Sequence, residues 1–341
     1  MRLFSSERFA DHLTPPGHPE RPERAEVLRQ CALRWASRGH ELREPAPADD
    51  ACLALVHAPE YVAAIRETAG RAVRLDPDTT TSPDSFDVAR LAAGAVVDGI
   101  RQALEAPAEP SVVLVRPPGH HAEAARAMGF CLFNSIAVGA AWARQAGVAR
   151  VAIVDFDVHH GNGTQAMFYG DPSVLFVSSH QFPYYPGTGA AAEVGRGAGA
   201  GYTVNLPLEA GAGDADVDEA YRAVAVPVLD AFQPDLVLVS AGFDAHEADP
   251  LGGCRMSARG FAALVGQLEA VARRHAGGRL VLVTEGGYDL EALGRSLDAV
   301  LAVLERGATA PAGDTVSGDR TRGRASAEAA RAALTPFWPG L

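Results

Sequence analysis

A chain of 341 residues, 48% of them hydrophobic, can bury a large core as one α/β unit. Its formal net charge of -12 disfavours a partner such as nucleic acid or an anionic membrane, because both need a basic face, whereas a cationic substrate is compatible with it. No apolar run approaches the roughly 18 residues of a membrane-spanning helix, and Met1 to Glu7 has no apolar signal core, so a soluble, cytoplasmic protein is expected.

In chain order, apolar spacing near three and four predicts helices over Glu23–Trp35, Pro59–Ala69 and Phe86–Leu104, separated by turn-rich stretches such as Thr14–Pro19 and Asp76-Pro77-Asp78. From residue 111 the pattern becomes strand then helix. Short runs rich in β-branched residues at Ser111–Val115, Val151–Val154, Val174–Val177, Leu236–Val239 and Leu280–Val283 read as strands buried on both faces. Helices are expected at Ser135–Gln145, Val217–Phe232, Ala258–His275 and Leu290–Glu305. This alternation predicts a single α/β domain with a central, mostly parallel sheet covered by helices on both faces. Residues 1–306 are expected to form the catalytic domain. Gly195–Gly201 reads as a loop, and residues 307–341 as a polar tether, Gly307–Arg324, leading to a short helix at Ala325–Leu334 that packs on or trails the domain.

The cysteines Cys31, Cys52, Cys131 and Cys254 form no Cys-x-x-Cys pair, so buried free thiols are expected rather than disulfides or a thiolate zinc site. All 30 basic residues are arginine, which together with the Ala and Gly content suggests a bacterial gene of high G+C content. No G-x-G-x-x-G follows a strand, so a dinucleotide site is not expected.

Each of the five apolar runs ends on polar residues, and parallel sheets bind ligands at the carboxyl ends of their strands. If the segment is extended, Asp155, Asp157 and His159 project to one side, and Asp244 arrives from another strand end. Two carboxylates and one imidazole, Asp157, Asp244 and His159, suit a catalytic zinc with an open position, although the ligand types also admit iron(II). His120 and His121 follow a rigid Pro-Pro-Gly turn and can serve as base and acid, with Asp155 and Asn162 as candidates to set their tautomers. Tyr288, on a Gly286-Gly287 hinge, can donate to a developing oxyanion.

Arg116–Ala122 (RPPGHHA), Gly129–Asn134 (GFCLFN), Asp155–Gln165 (DFDVHHGNGTQ), Tyr185–Gly189 (YPGTG), Ser240–Gly253 (SAGFDAHEADPLGG) and Glu285–Leu290 (EGGYDL) resemble the zinc-dependent histone deacetylase superfamily, which also holds acetylpolyamine amidohydrolases. The resemblance implies the arginase-deacetylase fold and removal of acyl groups from lysine side chains. It implies one catalytic Zn2+ on Asp157, His159 and Asp244, and catalysis by His120, His121 and Tyr288. In that scheme His121 is general base and acid, and His120 with Asp155 tunes the electrostatics. By the same likeness Phe130 and Tyr185 wall an acyl-lysine tunnel, Gly129 offers its carbonyl to the substrate, Leu251 sits at the rim and Arg24 borders a product channel. A structural K+ near Asp155, Asp157, His159 and Ser178 is also implied. Asn162 stands where many eukaryotic nuclear members have Asp, which resembles the class II and bacterial branch, and Tyr185 replaces a commoner Phe. The rival substrates are an acetylated polyamine or another small amide. A non-enzymatic acyl-lysine binder would call for a closed metal site or a lost acid-base group, and neither is seen.

Overall fold

The computed structural model of the protein describes residues 1–106, 109–307 and 316–341. The inner strands, rich in Val, Leu, Ile and Ala, cannot leave either face in water, and both of their faces are covered. The strands are β1 (Arg2–Phe4), β2 (Glu41–Arg43), β3 (Ser111–Val113), β4 (Val151–Asp155), β5 (Val174–Gln181), β6 (Thr203–Leu208), β7 (Leu236–Ala241) and β8 (Leu280–Thr284). They form one sheet in the order β2-β1-β3-β8-β7-β4-β5-β6, with every pairing parallel. The helices are α1 (Glu23–Ala36), α2 (Asp50–Leu53), α3 (Pro59–Arg66), α4 (Ser85–Glu105), α5 (Ser135–Gln145), α6 (Asn162–Phe168), α7 (Asp214–Ala220), α8 (Val226–Phe232), α9 (Ala258–His275), α10 (Leu290–Arg306) and α11 (Thr321–Leu334).

Alternation along each strand splits the core in two. In β4, Ala152 and Val154 join one cluster with residues of α1, α9 and α10, while Val151 and Ile153 join another with residues of α4 and α5. A third cluster packs Tyr61, Phe86 and Phe133 beside α4. The sheet order sets β3, β8, β7, β4 and β5 side by side, so the five strand ends bearing polar clusters are neighbours.

Several boundaries differ from expectation for identifiable reasons. β3 stops at Val113 because Val115 leaves the ladder and exchanges hydrogen bonds with the Thr284 hydroxyl, both at 2.8 Å. β5 runs on to Gln181 because it pairs with β6, an edge strand whose Pro207 hides it from pattern reading. The helix expected over Val217–Phe232 is interrupted by a π-turn at Tyr221–Ala225, just before Pro227, which cannot donate to the preceding turn. Gly195–Gly201 contains a 3-10 turn at Gly197–Gly199. Of the tether, residues 308–315 lie outside the described residues, and Thr321–Arg324 are helical rather than linker. Arg320 pairs with Asp218 and Glu219, Gly323 N donates to Asp216, and Ala327, Ala330 and Leu334 are buried in the core cluster that includes α7 residues.

The N-terminal segment is pinned by a buried ion cluster. Glu20 accepts from Arg116 through both oxygens, at 2.7 and 2.9 Å, and from Arg24 at 2.9 Å, all three side chains being inaccessible to solvent. Burial alone would raise the Glu20 carboxyl, but Arg116 and Arg24 hold it below its ordinary value. Glu20→Ala leaves two guanidiniums uncompensated, and urea unfolding is expected to show a loss of about 3–5 kcal/mol. Burial also pushes His12 and His57 down to about 4. Below pH 6.5 the unfolded chain takes up protons at these rings that the folded chain refuses. Their contribution is therefore complete above pH 6.5 and declines toward pH 4, by up to about 3 kcal/mol per ring. Denaturation midpoints that stay level between pH 7.5 and 4.5 would contradict this.

Candidate active site

β4 ends at Asp155, and Asp157 and His159 lie on the bend that follows it. The expected convergence of Asp155, Asp157 and His159 from one extended strand is therefore corrected. Asp155 Oδ1 accepts from Asp157 N at 3.1 Å and Oδ2 meets His120 Nδ1 at 2.9 Å, so Asp155 stands behind the metal-binding group rather than in it. Asp157, His159 and Asp244 bring their ligand atoms within 4.8 Å of one another, and all three are buried.

Backbone amides hold this trio in place. Asp157 Oδ2 accepts from Gly286 N at 2.9 Å, Asp157 Oδ1 from His159 N at 3.0 Å and Asp244 Oδ1 from Val158 N at 2.9 Å. His159 Nδ1 faces both carboxylates at 3.1 and 3.3 Å. Apart from that approach, buried Asp244 Oδ2 has no hydrogen-bond partner. A side chain on Gly286 would put its Cβ 2.1 Å from Asp244 Oδ2 and 2.6 Å from Asp157 Oδ2, so this close passage requires glycine. Burial and repulsion by Asp157 push Asp244 up to about 7, whereas at Asp157 burial is outweighed by His120 and His159, which hold it down. Two apposed carboxylates, one with an orphaned oxygen, beside an inward imidazole form a donor set that fits a divalent cation.

The tandem histidines are set by three acidic residues and an amide. Fully buried Glu285 accepts from Gly119 N and His120 N at 2.6 and 3.2 Å with one oxygen and from Ser240 Oγ at 2.9 Å with the other. His121 Nδ1 lies 2.8 Å from Asn162 Oδ1. Asn162 Nδ2 donates to Glu123 Oε1 at 2.9 Å, which turns its oxygen toward the ring and assigns the His121 proton to Nδ1, leaving the Nε2 lone pair. Burial opposes charge on both rings. At His120 the charges of Asp155 and Asp157 override it and raise the ring to about 10, while at His121 burial and charged neighbours His120 and His159 drive the ring well down. One ring is charged at neutral pH and the other is neutral, which separates their roles.

Tyr288 follows β8 through Gly286-Gly287. Burial, then the Asp244 charge, raises its phenol well above the ordinary value and keeps it protonated. Arg24 passes behind it, donating to Gly287 O at 2.7 Å and Glu285 O at 2.5 Å, with its guanidinium 5.0 Å from the Tyr288 ring centre. A cavity of about 150 Å³ is lined by His121, Gly129, Phe130, His159, Tyr185, Leu251 and Tyr288, joined by Asp78 and Tyr184. The Phe130 ring meets Tyr288 edge to face at 5.8 Å, and the Tyr185 ring meets His121 at 5.1 Å. Phe130 adopts a φ of 68°, a strained conformation for a bulky residue, held by Thr79 Oγ1 accepting its N–H at 3.0 Å.

Residues 18–304 match the histone deacetylase domain family. The chain belongs to the histone deacetylase family. It is 40% identical over 293 residues to a probable deacetylase of Archaeoglobus fulgidus, covering 84% of this chain and 80% of that protein. It is also 40% identical over 281 residues to the histone deacetylase-like amidohydrolase of Pseudomonas aeruginosa, covering 80% and 73%. The crystal structure of the HDA15 HD domain aligns with a TM-score of 0.91 at 36% identity, covering 99% of this chain and 95% of that one. The protein is thus a histone-deacetylase-like hydrolase for an acetylated substrate, and zinc dependence is a trait of its family.

Sequence reading passed over several residues of this deacetylase site. Glu285 lay inside a quoted motif, yet nothing marked it as the acceptor beneath the His pair. Tyr184 stacks on His159 at 5.6 Å and donates its hydroxyl to Leu251 O at 3.2 Å. Asp78 accepts from Gly129 N at 3.2 Å, and the turn signal Asp76-Pro77-Asp78 was its only trace. Arg24 does not line the cavity, since its donors are spent on Glu20 and the Glu285–Gly287 carbonyls. Among the described residues, no helix is long and apolar enough to cross a membrane. Gly286→Ala is expected to displace both carboxylates and weaken metal binding about 10- to 100-fold, as other losses of supporting contacts do. Metal titration followed by calorimetry checks it, and unchanged affinity would remove Asp157 and Asp244 from the metal site.

Proposed function

We propose that this deacetylase removes acetyl or other acyl groups from lysine side chains, with a catalytic Zn2+ held by Asp157, His159 and Asp244. The observation that carries the reading is that His159, the member of that trio facing the cavity, lines it together with His121, whose ring burial drives toward the neutral form, and Tyr288, whose phenol stays protonated. Zinc there would supply Lewis acidity, polarising a carbonyl and making water acidic enough to serve as nucleophile near neutral pH.

The chain's own groups do the rest. His121, its Nδ1–H fixed on Asn162, takes a proton from the attacking water at Nε2 and delivers it to the departing amine. His120, charged against Asp155, stays protonated and stabilises the negative charge that builds beside it. The Tyr288 phenol donates to the carbonyl oxygen as it becomes an oxyanion. Phe130 and Tyr185 enclose the aliphatic stem and exclude water, Gly129 presents its carbonyl to the substrate amide, and Leu251 forms the rim. Arg24 borders the route by which the acid product leaves. Residues 1–306 constitute the catalytic domain and residues 307–341 an appended segment. A structural K+ near Asp155, Asp157, His159 and Ser178, a bacterial origin and a cytoplasmic location belong to the same reading.

Asp78 at the mouth supports a second reading, an acetylated polyamine whose ammonium would pair with that carboxylate, and the apolar rim at Leu251 favours lysine peptides over it. Mass spectrometry of products from acetyl-lysine and long-acyl-lysine peptides and acetylpolyamines, each with a chelator arm, separates the two. Chelator-sensitive release from the peptides supports the lysine reading, and release confined to polyamines overturns it. Tyr288→Phe is expected to retain metal and lose about a hundredfold or more in turnover. Unchanged turnover would take the phenol out of the mechanism.

A further inference from the structure

Asp249 is almost fully buried, 6% exposed, yet it is not one of the metal-binding trio and has no role in the scheme above. Its carboxylate is divided between two loops. Oδ1 accepts from Leu251 N at 2.9 Å, on the rim of the cavity. Oδ2 accepts from Tyr288 N at 2.6 Å and from Asp289 N at 3.1 Å. Asp249 N in turn donates to His246 O at 2.9 Å, which fixes the acid's own backbone.

The Tyr288 loop needs such an anchor. Gly286 and Gly287 precede the tyrosine, and Gly287 has a φ of 120°, where glycine alone is at ease, so the local chain offers little stiffness. Arg24 restrains the Glu285 and Gly287 carbonyls from behind, but the amides of Tyr288 and Asp289 have Asp249 as their acceptor. An ionised carboxylate taking three backbone N–H groups is a strong, directional clamp. We infer that Asp249 is a positioning residue that sets the Tyr288 phenol and ties it to the Leu251 rim, so that the tunnel mouth and the oxyanion donor move as one unit. The inference rests on the proposed role of Tyr288.

Asp249→Asn replaces one acceptor oxygen by a donor that cannot serve both loops. It is expected to lower kcat on an acetyl-lysine peptide about tenfold or more through misplacement of the phenol, with KM and zinc affinity changing less than about threefold. The deciding comparison is a cycle with Tyr288→Phe. In that background the Asp249 change should cost less than about threefold, because the group it positions is gone. Equal losses in both backgrounds, or no loss in the wild type, overturn the inference while leaving the Tyr288 mechanism standing. If Tyr288→Phe itself has no effect, both fall together. Amide exchange gives a readout independent of turnover, and its wild-type arm is independent of any variant's folding. In the zinc-loaded wild type the Tyr288 and Asp289 amides should be strongly protected, and in Asp249→Asn they should exchange faster while β8 is unchanged. Free exchange of those two amides in the wild type would show that the clamp does not hold.

Discussion

Two carboxylates, Asp157 and Asp244, sit side by side in the buried interior, and most of what surrounds them is arranged to make that tolerable. Each would be costly to bury alone, and each repels the other. The backbone answers with N–H groups of Gly286, His159 and Val158. Glycine at 286 lets the β8 loop approach closely enough to donate. That approach depends in turn on β4, β7 and β8 being adjacent in the sheet, which is the arrangement the two-sided apolar strands produce.

Around this pair, charge is graded over a few ångströms. His120 shares its proton with Asp155, His121 is emptied by burial and by the charge beside it, and Tyr288 is kept neutral. Glu285, driven up to about 7 chiefly by burial, stands at the base of the His pair. Three kinds of group, a fixed cation, a free base and a neutral donor, thus arise from residues of ordinary chemistry by placement alone.

The strand cores and the polar residues after them were legible because both follow from a short apolar run with an abrupt end. Ser135–Gln145 and Ala258–His275 were expected as helices over the ranges the structure shows. β1 and β2 have three residues each, too few for any period to register, and β6 carries Asn205 and Pro207, which read as loop. The Val217–Phe232 helix looked continuous because apolar spacing does not report where Pro227 forces an extra residue into a turn. In the site, the residue types that ligate or titrate were found, whereas Glu123, Glu285 and Asp249 were not, since their work is to satisfy backbone and amide groups that only folding brings near. The expected projection of Asp155, Asp157 and His159 to one side failed for a related reason: β4 ends at Asp155, so strand alternation no longer governs the two residues after it, while Asp155 takes the expected place against His120.

The buried cluster of Glu20, Arg24 and Arg116 and the ion pairs that seat α11 use guanidinium as their cation, and the chain contains no lysine at all. Side-chain acylation, which neutralises an ammonium, has no counterpart at these positions. Acyl donors that modify lysines on neighbouring proteins therefore find no lysine side chain on this one. The charges that hold it together thus lie outside the reach of lysine acylation.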